Sequence, residues 1–195
     1  MSQPSSCQQF DDHLIVAIGS NVTSTYGGPR QTVQAAVDEL DRAPFKLLKV
    51  SRFYQTPCFP KGAGPDFVNA AATLAYQGEP DAVLRHLHEI EARFGRERVS
   101  RWGARTLDLD LLAVGSRVSP DEIVLKTWME LSPRRQLEEA PDQLILPHPR
   151  LHERGFVLVP MADVAPDWVH PILGRSVQQM LDGLPDAQKA EIQAI

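Results

Sequence analysis

The chain has 195 residues, a formal net charge of −5 and an apolar fraction of 43%, which is enough for a folded core and excludes a chain that is disordered throughout. The negative charge gives no basic field for a nucleic-acid backbone, although a local basic cluster can still bind a small polyphosphate. Cys7 and Cys58 form no CxxC pattern and have no ligand spacing to histidine, which disfavours a disulfide scaffold and a zinc site.

The first twelve residues are rich in Ser, Gln and Asp and contain no Lys or Arg. We expect them to form a disordered leader. The apolar run at 14–18 is too short for a signal peptide or a membrane span. Together with the sparse cysteines, this predicts a cytoplasmic protein with no membrane partner.

Strand and helix patterns alternate through the first half of the chain. The continuous apolar run at 13–19 predicts a central strand that is buried on both faces. Apolar residues at helical spacing predict a helix over 30–42. Two segments with β-branched and aromatic residues, 45–55 and 66–76, are predicted to be strands.

The second half begins with a predicted helix at 80–94, which Pro80 starts and Gly95 ends. A strand follows from residue 105. Segment 118–141 has too few apolar residues for a core of its own, so we interpret it as an insertion with short elements. Residues 155–161 are apolar enough for either a strand or a buried helix, and 176–184 predict a C-terminal helix.

This order of elements predicts an α+β fold of the ferredoxin-like double βαβ type, with a mainly antiparallel sheet and helices packed on it. We expect residues 13–195 to form a single domain that carries the insertion at about 118–141. The same architecture also occurs in RNA-binding modules. That alternative is disfavoured by the net charge and by the lack of exposed aromatic pairs on the central strands.

The segment from Arg101 to Asp110 carries the strongest chemical signal. Side chains alternate along an extended strand, so Asp108 and Asp110 are predicted to share one face, opposite the intervening leucines. Aspartate is depleted in strands, and adjacent carboxylates oppose each other's ionisation. Two explanations of the pair remain open. The aspartates face water on a half-exposed strand, or they bind Mg²⁺, which prefers oxygen ligands. The nearby Arg101, Arg105 and Trp102 suit a polyphosphate and a flat ring.

This segment closely resembles the signature of the hydroxymethyldihydropterin pyrophosphokinases, folate-pathway enzymes that transfer a pyrophosphoryl group from ATP to a pterin alcohol. Further segments are similar to family segments in family order: Ala17-Ile18-Gly19-Ser20-Asn21, Phe53-Tyr54-Gln55-Thr56-Pro57, Pro65-Asp66-Phe67-Val68-Asn69-Ala70-Ala71, and Leu146-Pro147-His148-Pro149 with Arg154-Gly155-Phe156.

The resemblance implies an ATP- and Mg²⁺-dependent enzyme. It implies that Asp108 and Asp110 hold two Mg²⁺ ions and that Arg105 and Arg96 act with them in catalysis. It also implies that a further set of residues contacts ATP, namely His88, Glu91, Arg98, Arg105, Leu111, His148 and Arg154. Two metal ions can stabilise the attacking and leaving oxygens of a phosphoryl transfer together.

The resemblance further implies a pterin site in which Phe67 and Phe156 stack on the ring and Asn69 binds its edge. Thr56, Pro57 and Phe59 border the ring. Trp102 belongs to a strongly charged segment at 96–104, predicted to be a loop, and lies beside the ring as this charged loop closes. For the two phenylalanines, an ordinary core position is the alternative. An amide inside an apolar strand requires a polar partner, so Asn69 fits a binding role better.

Three positions depart from the family pattern. His88 stands where a glutamine is expected, Gln143 where a basic residue is expected, and Pro149 where an aromatic residue sometimes occurs. A pterin- or nucleotide-binding module without catalysis is the alternative from another class, but both aspartates and the loop arginines are present. The expected partners are ATP and a reduced pterin, with neither nucleic acid nor membrane, and we expect a monomer.

Overall fold

The structure is a computed structural model that describes residues 13–58, 62, 64–76, 78–96 and 105–195. Six strands belong to one sheet: β1 (His13–Ser20), β2 (Lys46–Val50), β3 (Tyr54–Thr56), β4 (Phe67–Ala75), β5 (Asp108–Val114) and β6 (Gln193–Ala194). Their order is β5-β1-β4-β3-β6, and β2 also pairs with β4. All of these pairings are antiparallel, as the sequence predicts for most of the sheet.

Seven α-helices accompany the sheet in the described ranges: α1 (Pro29–Leu40), α2 (Pro80–Arg93), α3 (Glu122–Met129), α4 (Pro133–Glu138), α5 (Gly155–Val164), α6 (Val177–Asp182) and α7 (Asp186–Ala190). A single 3-10 turn, Leu151–Glu153, precedes α5. The apolar segment at 155–161, for which the sequence allows a strand or a helix, is helical. Ser132 caps α4, since its side chain accepts a hydrogen bond from Arg135 N.

The sheet is covered on both faces. One core contains the inner sides of α1 and α2 together with Val16, Ile18 and Leu109. The other core contains α5, α6, Ile15 and Ala71. Neighbouring residues of β1 therefore enter different cores, which confirms the prediction that this strand is buried on both faces.

The predicted strand at 45–55 is two strands in the structure. Ser51 interrupts it, because its hydroxyl accepts a hydrogen bond from Ala71 N at 2.9 Å while its own N–H donates to Ala71 O at 2.9 Å. A side chain thus replaces part of the main-chain ladder, and the strand direction changes between β2 and β3. Apolar periodicity alone contains no sign of this break.

A bulge in β5 separates its polar half from its apolar half. Ile15 lies opposite Ala113 and Val16 opposite Leu111, so Leu112 has no partner on β1. Leu112 and Ala113 both enter the core under α5, whereas Leu111 faces α1 and α2. The simple alternation expected along this strand therefore ends at the bulge.

The chain after α5 is fixed by buried polar groups. Trp168 Nε1 donates to Gly115 O at 2.7 Å. The fully buried His170 accepts hydrogen bonds from the N–H groups of Ile172 and Leu173 through Nδ1, at 3.2 and 3.3 Å. None of the helices in the described ranges combines the length and the apolar character that are required to cross a membrane.

His170 should make the stability of the protein depend on pH. Burial, His152 and Arg175 lower the pKa of His170 from 6.5 to about 4. The fold therefore favours the neutral ring, and this contribution is complete above pH 6.5 and is lost as the pH falls towards 4. In H170N the amide oxygen can still accept the backbone hydrogen bonds, but nothing titrates.

Urea unfolding of both proteins at about pH 7 and pH 5 measures the difference. The wild type should lose on the order of 1 kcal/mol more unfolding free energy than H170N over this interval. The other histidines are present in both proteins and cancel in the comparison. Equal losses in the two proteins would contradict the prediction.

Candidate active site

One row of residues crosses the sheet from β5 to β4. Gly19 of β1 lies opposite Asp108 on one side and opposite Asn69 on the other. Two residues away along β1, Ala17 lies opposite Asp110 and Ala71. Because paired residues point to the same face, the two aspartates and Asn69 all project towards the α5 side of the sheet.

Gly19 allows the Asn69 side chain to approach the backbone of β1 closely in this row. A Cβ atom at Gly19 would lie 2.8 Å from Asn69 Oδ1 and 3.7 Å from Phe67 Cδ1. The Asn69 amide donates to Thr56 Oγ1 at 2.7 Å, which fixes it in this position. Because glycine has no side chain, the backbone at Gly19 forms a flat surface next to Asn69 and Phe67.

Positive charges surround Asp108. Its Oδ2 pairs with Arg105 Nη1, and Arg96 Nη2 lies 2.8 Å from its Oδ1 without hydrogen-bond geometry. Burial and then the charge of Asp110 raise the pKa of Asp108, whereas Arg105 and Arg96 oppose this shift. The site therefore leaves negative charge on one strand face only partly compensated.

The pair of carboxylates fits a hard divalent cation. Asp108 and Asp110 offer oxygen atoms from one face, which is the donor type that Mg²⁺ prefers, and within the described residues the buried Asp108 Oδ1 accepts no hydrogen bond. The described residues contain no group of three or more His, Cys, Asp or Glu side chains suited to a metal. A cation here would need further oxygens from a substrate.

Glu91 connects α2 to the same site. It is 1% exposed, and its Oε1 accepts from Leu109 N at 2.7 Å and pairs with Arg96. A cavity of about 300 Å³ is lined by His88, Glu91, Ala92 and Arg96. The buried acid therefore positions the arginine that contacts Asp108, and the cavity lies next to both groups.

The start of α5 contributes two groups. The guanidinium carbon of Arg154 lies 5.7 Å from the centre of the Phe156 ring. Burial lowers the pKa of Arg154, and the charges of Asp110 and Asp108 oppose this shift, which places the guanidinium within electrostatic reach of both carboxylates. A cationic group and an aromatic ring thus enter the site from one helix end.

His148 is held in one tautomer beside these groups. Its Nδ1 accepts from Arg150 N at 3.1 Å, so the proton of the neutral ring belongs on Nε2. Burial and then Arg154 lower the pKa of His148. The ring is therefore a neutral hydrogen-bond donor at neutral pH.

The structure brings together most of the residues that the sequence singles out. Asp108, Arg105 and Arg96 are in contact, as are Asn69 and Thr56. Phe67 and Pro57 are half-buried near this group. The Leu111 side chain is 4% exposed and packs in the core under α1 and α2, so only its backbone can border a ligand at Asp110. Phe59, Arg98 and Trp102 lie outside the described residues.

Gly19 and Asn21 belong to the segment at 17–21, and the sequence by itself predicts no role for either residue. Asn21 accepts from Arg105 N at 2.8 Å through Oδ1 and donates to Pro65 O at 3.2 Å. It therefore joins the end of β1 to the residue that enters β5 and to the loop before β4. The signal was the Gly-Ser-Asn triplet that ends an apolar strand.

Comparison with protein families places most of the chain in one of them. Residues 15–166 match the model described as 7,8-dihydro-6-hydroxymethylpterin-pyrophosphokinase. A 2-amino-4-hydroxy-6-hydroxymethyldihydropteridine pyrophosphokinase of Synechocystis is 36% identical, over 86% of this chain and 74% of its own length. The protein of the same name from Pseudomonas aeruginosa is 37% identical, over 88% and 91%.

Solved structures have the same fold at low sequence identity. The crystal structure of wild-type Plasmodium falciparum HPPK-DHPS with pteroate gives a TM-score of 0.61 at 12% identity. It is matched over 87% of this chain and 44% of that chain. The present chain therefore spans less than half of this larger protein, and the likeness concerns the fold alone.

Substitution of Gly19 by alanine should destabilise the protein, although alanine usually suits a strand better than glycine does. The new methyl group would lie 2.8 Å from Asn69 Oδ1, and the hydrogen bond to Thr56 prevents the amide from moving away freely. We expect a loss of about 1–3 kcal/mol in urea unfolding, as for overpacked sites.

A double-mutant cycle identifies the cause. In an Asn69→Ala background the same Gly19→Ala change should cost little or stabilise the protein, because the clash is gone. Equal costs in the two backgrounds would show that Asn69 is not the obstacle.

Proposed function

This chain belongs to the 7,8-dihydro-6-hydroxymethylpterin-pyrophosphokinase family, and we propose that the row of Asp108, Gly19 and Asn69 is where it carries out the family reaction. It is a pyrophosphokinase of folate biosynthesis. It transfers pyrophosphate from ATP to the hydroxymethyl group of 6-hydroxymethyl-7,8-dihydropterin, which gives the pterin diphosphate and AMP.

The spacing of the row is the observation that carries this assignment. Asp108 and Asn69 lie two strands apart, roughly 10 Å at the usual strand spacing. This matches the approximate length of a bicyclic pterin with its hydroxymethyl arm. A pterin whose ring edge meets Asn69 would lie over Gly19 and direct its hydroxyl towards Asp108.

The pterin end of the site consists of aromatic rings and polar groups. Phe67 and Phe156 would stack on the two faces of the ring, since flat conjugated rings favour offset stacking. Asn69, fixed by Thr56, would bind the polar ring edge. Pro57 and Phe59 would border the ring, and Trp102 would cover it when the charged loop closes and excludes water.

The phosphate end of the site consists of arginines and a neutral histidine. Arg96, Arg105 and Arg154 lie around the aspartates, and Arg98 belongs to the same basic loop. The guanidinium groups of such arginines would neutralise the charge of phosphate oxygens and orient the phosphate through paired hydrogen bonds. The Nε2 proton of His148 adds a donor, while His88 and Glu91 line the cavity on the nucleotide side.

Asp108 and Asp110 would hold two Mg²⁺ ions at this end. Metal ions bound there would neutralise charge on the ATP phosphates and lower the pKa of the attacking hydroxyl. The protein orients the reaction: the hydroxymethyl oxygen attacks the β-phosphorus in line, the bond from the β-phosphorus to the α,β-bridging oxygen breaks, and AMP leaves. Positioning and charge compensation by the arginines account for most of the catalysis in such transfers.

The fold type, the insertion, the cellular compartment and the oligomeric state belong to the same proposal. The ferredoxin-like double βαβ arrangement is supported by the strand order β5-β1-β4 with β2 and β3 beside β4. The interpretation of 118–141 as an insertion is supported by the backbone pairing of Ser119 with Leu146, at 2.9 and 3.0 Å, which joins the two ends of that region. We also propose a cytoplasmic enzyme, which the presence of only two cysteines in the sequence supports, and we expect a monomer.

The direct test measures AMP production from ATP and Mg²⁺ with and without 6-hydroxymethyl-7,8-dihydropterin. AMP should form only when the pterin alcohol is present, in equal amount to the pterin diphosphate. ATP hydrolysis that does not depend on the pterin would contradict the proposed acceptor.

Loss of either aspartate should abolish turnover without unfolding the protein. Asp108→Ala and Asp110→Ala should each lower AMP production by about 10²–10³-fold or more, because each removes a carboxylate that would hold the Mg²⁺ ions which compensate charge at the reacting phosphates. Asp110→Asn should leave the melting temperature unchanged or raise it, since it removes a repulsion that raises the pKa of Asp108. Near-normal AMP production by either alanine variant would refute the metal assignment.

A further inference from the structure

The last ten residues, 186–195, form a segment that we term the C-terminal strap; it contains α7 and β6. Its end extends the sheet beyond β3: Gln193 lies opposite Gln55 and Ala194 opposite Tyr54. Ile195 N also donates to Phe53 O at 2.9 Å. The strap is therefore held along the outer edge of β3 by main-chain hydrogen bonds.

The other side of the strap contacts the start of α5. Gln188 Nε2 donates to Glu153 O at 3.1 Å. A Cβ at Gly155 would lie 2.8 Å from Ile192 Cδ1 and 3.3 Å from Gln188 Cγ, so both side chains lie against this buried glycine. The strap thus touches β3 and the first residue of α5 at once.

Both contact points adjoin the proposed pterin site. Thr56, which holds Asn69, follows Gln55 directly in β3. Arg154 and Phe156 flank Gly155 at the start of α5. A displacement of either contact would therefore move one wall of the site relative to the other.

The opposite end of α5 has its own connection to β3. Asp163 accepts a 2.7 Å hydrogen bond from the Tyr54 hydroxyl, and its carboxylate binds Arg52 through two side-chain hydrogen bonds at 2.9 and 3.1 Å. The helix is thus joined to β3 at both ends, and the strap connects the end that carries the site residues. Loss of the strap would leave the Asp163 connection in place.

We propose that the C-terminal strap is a positioning element for the pterin: by holding the start of α5 against β3, it sets the spacing between Phe156 and the wall formed by Thr56 and Asn69. This inference rests on the proposed pterin site. The contacts of the strap flank Arg154, whereas Arg96 and Arg105 contact Asp108 from other elements, so ATP binding should depend on the strap less than pterin binding does.

The strap can be removed without opening a core. None of its residues is buried; Gln188, Lys189 and Ile192 are intermediate and the others are exposed. A chain that ends at Leu184 keeps both apolar cores and should fold. A loss of function in this variant can therefore be separated from unfolding by a melting curve.

The test compares the full chain with the chain that ends at Leu184. The truncation should raise both the KM and the equilibrium dissociation constant for 6-hydroxymethyl-7,8-dihydropterin by about tenfold, because wall residues must be ordered on binding. The KM for ATP should rise by a smaller factor, about threefold or less, because Arg96 and Arg105 lie outside α5 and keep their contacts with Asp108. Ile192→Ala should reproduce part of the effect, and Ile192→Leu, which keeps a δ-methyl group that can reach Gly155, should stay close to the full-length values.

Asp163→Asn is the matched control, since it weakens the other connection between α5 and β3. It should lower the melting temperature but leave the KM for the pterin near that of the full chain. Equal increases in the KM values for pterin and ATP, or an unchanged dissociation constant for the pterin after truncation, would overturn the role of the strap. A full chain that binds the pterin but forms no AMP would overturn the proposed reaction instead, and the dissociation constants would still decide the role of the strap.

Discussion

The repulsion between two carboxylates on one face of β5 is the constraint on which the rest of the site depends. Asp108 is largely buried beside Asp110, and both effects raise the pKa of Asp108. Two arginines compensate part of this negative charge: Arg105, which precedes β5, and Arg96, which follows α2. Arg96 is itself held by the buried Glu91, whose carboxylate also accepts the Leu109 N–H. Without a cation this compensation is partial, which agrees with the proposed binding of a polyphosphate together with a hard metal ion.

The sheet sets the distance between the proposed phosphate end and the proposed pterin end of the site. In the proposed site the phosphate groups lie at Asp108 and the pterin edge at Asn69, and the single residue between them in the row is Gly19. A side chain there would collide with Asn69, so the glycine is required by close approach and not by a special backbone angle. The distance between the two ends is set by strand spacing, which hardly varies among proteins. A rigid antiparallel sheet is therefore a suitable base for a two-substrate reaction.

Helix α5 completes the site from above the sheet. It brings Arg154 towards the carboxylates and Phe156 towards the pterin end from adjacent positions on one helix end. Its placement relies on contacts distant in sequence, namely the Asp163 cluster with β3 and the strap at Gly155. The most remote part of the chain thus contributes to the geometry of the site, although it offers no reactive group.

The sequence by itself determined the alternation of strands and helices, the shared face of Asp108 and Asp110, and the family, because periodicity and motif spacing are local properties. The break at Ser51, the bulge at Leu112 and the burial of Leu111 depend on pairing with other strands. The partners of Asn69 and Glu91, and the contact of the strap with Gly155, also join residues that are distant in the chain. Only the tertiary structure decided these features, because hydrogen-bond partners and close approaches are selected by packing and leave no periodic trace in the sequence.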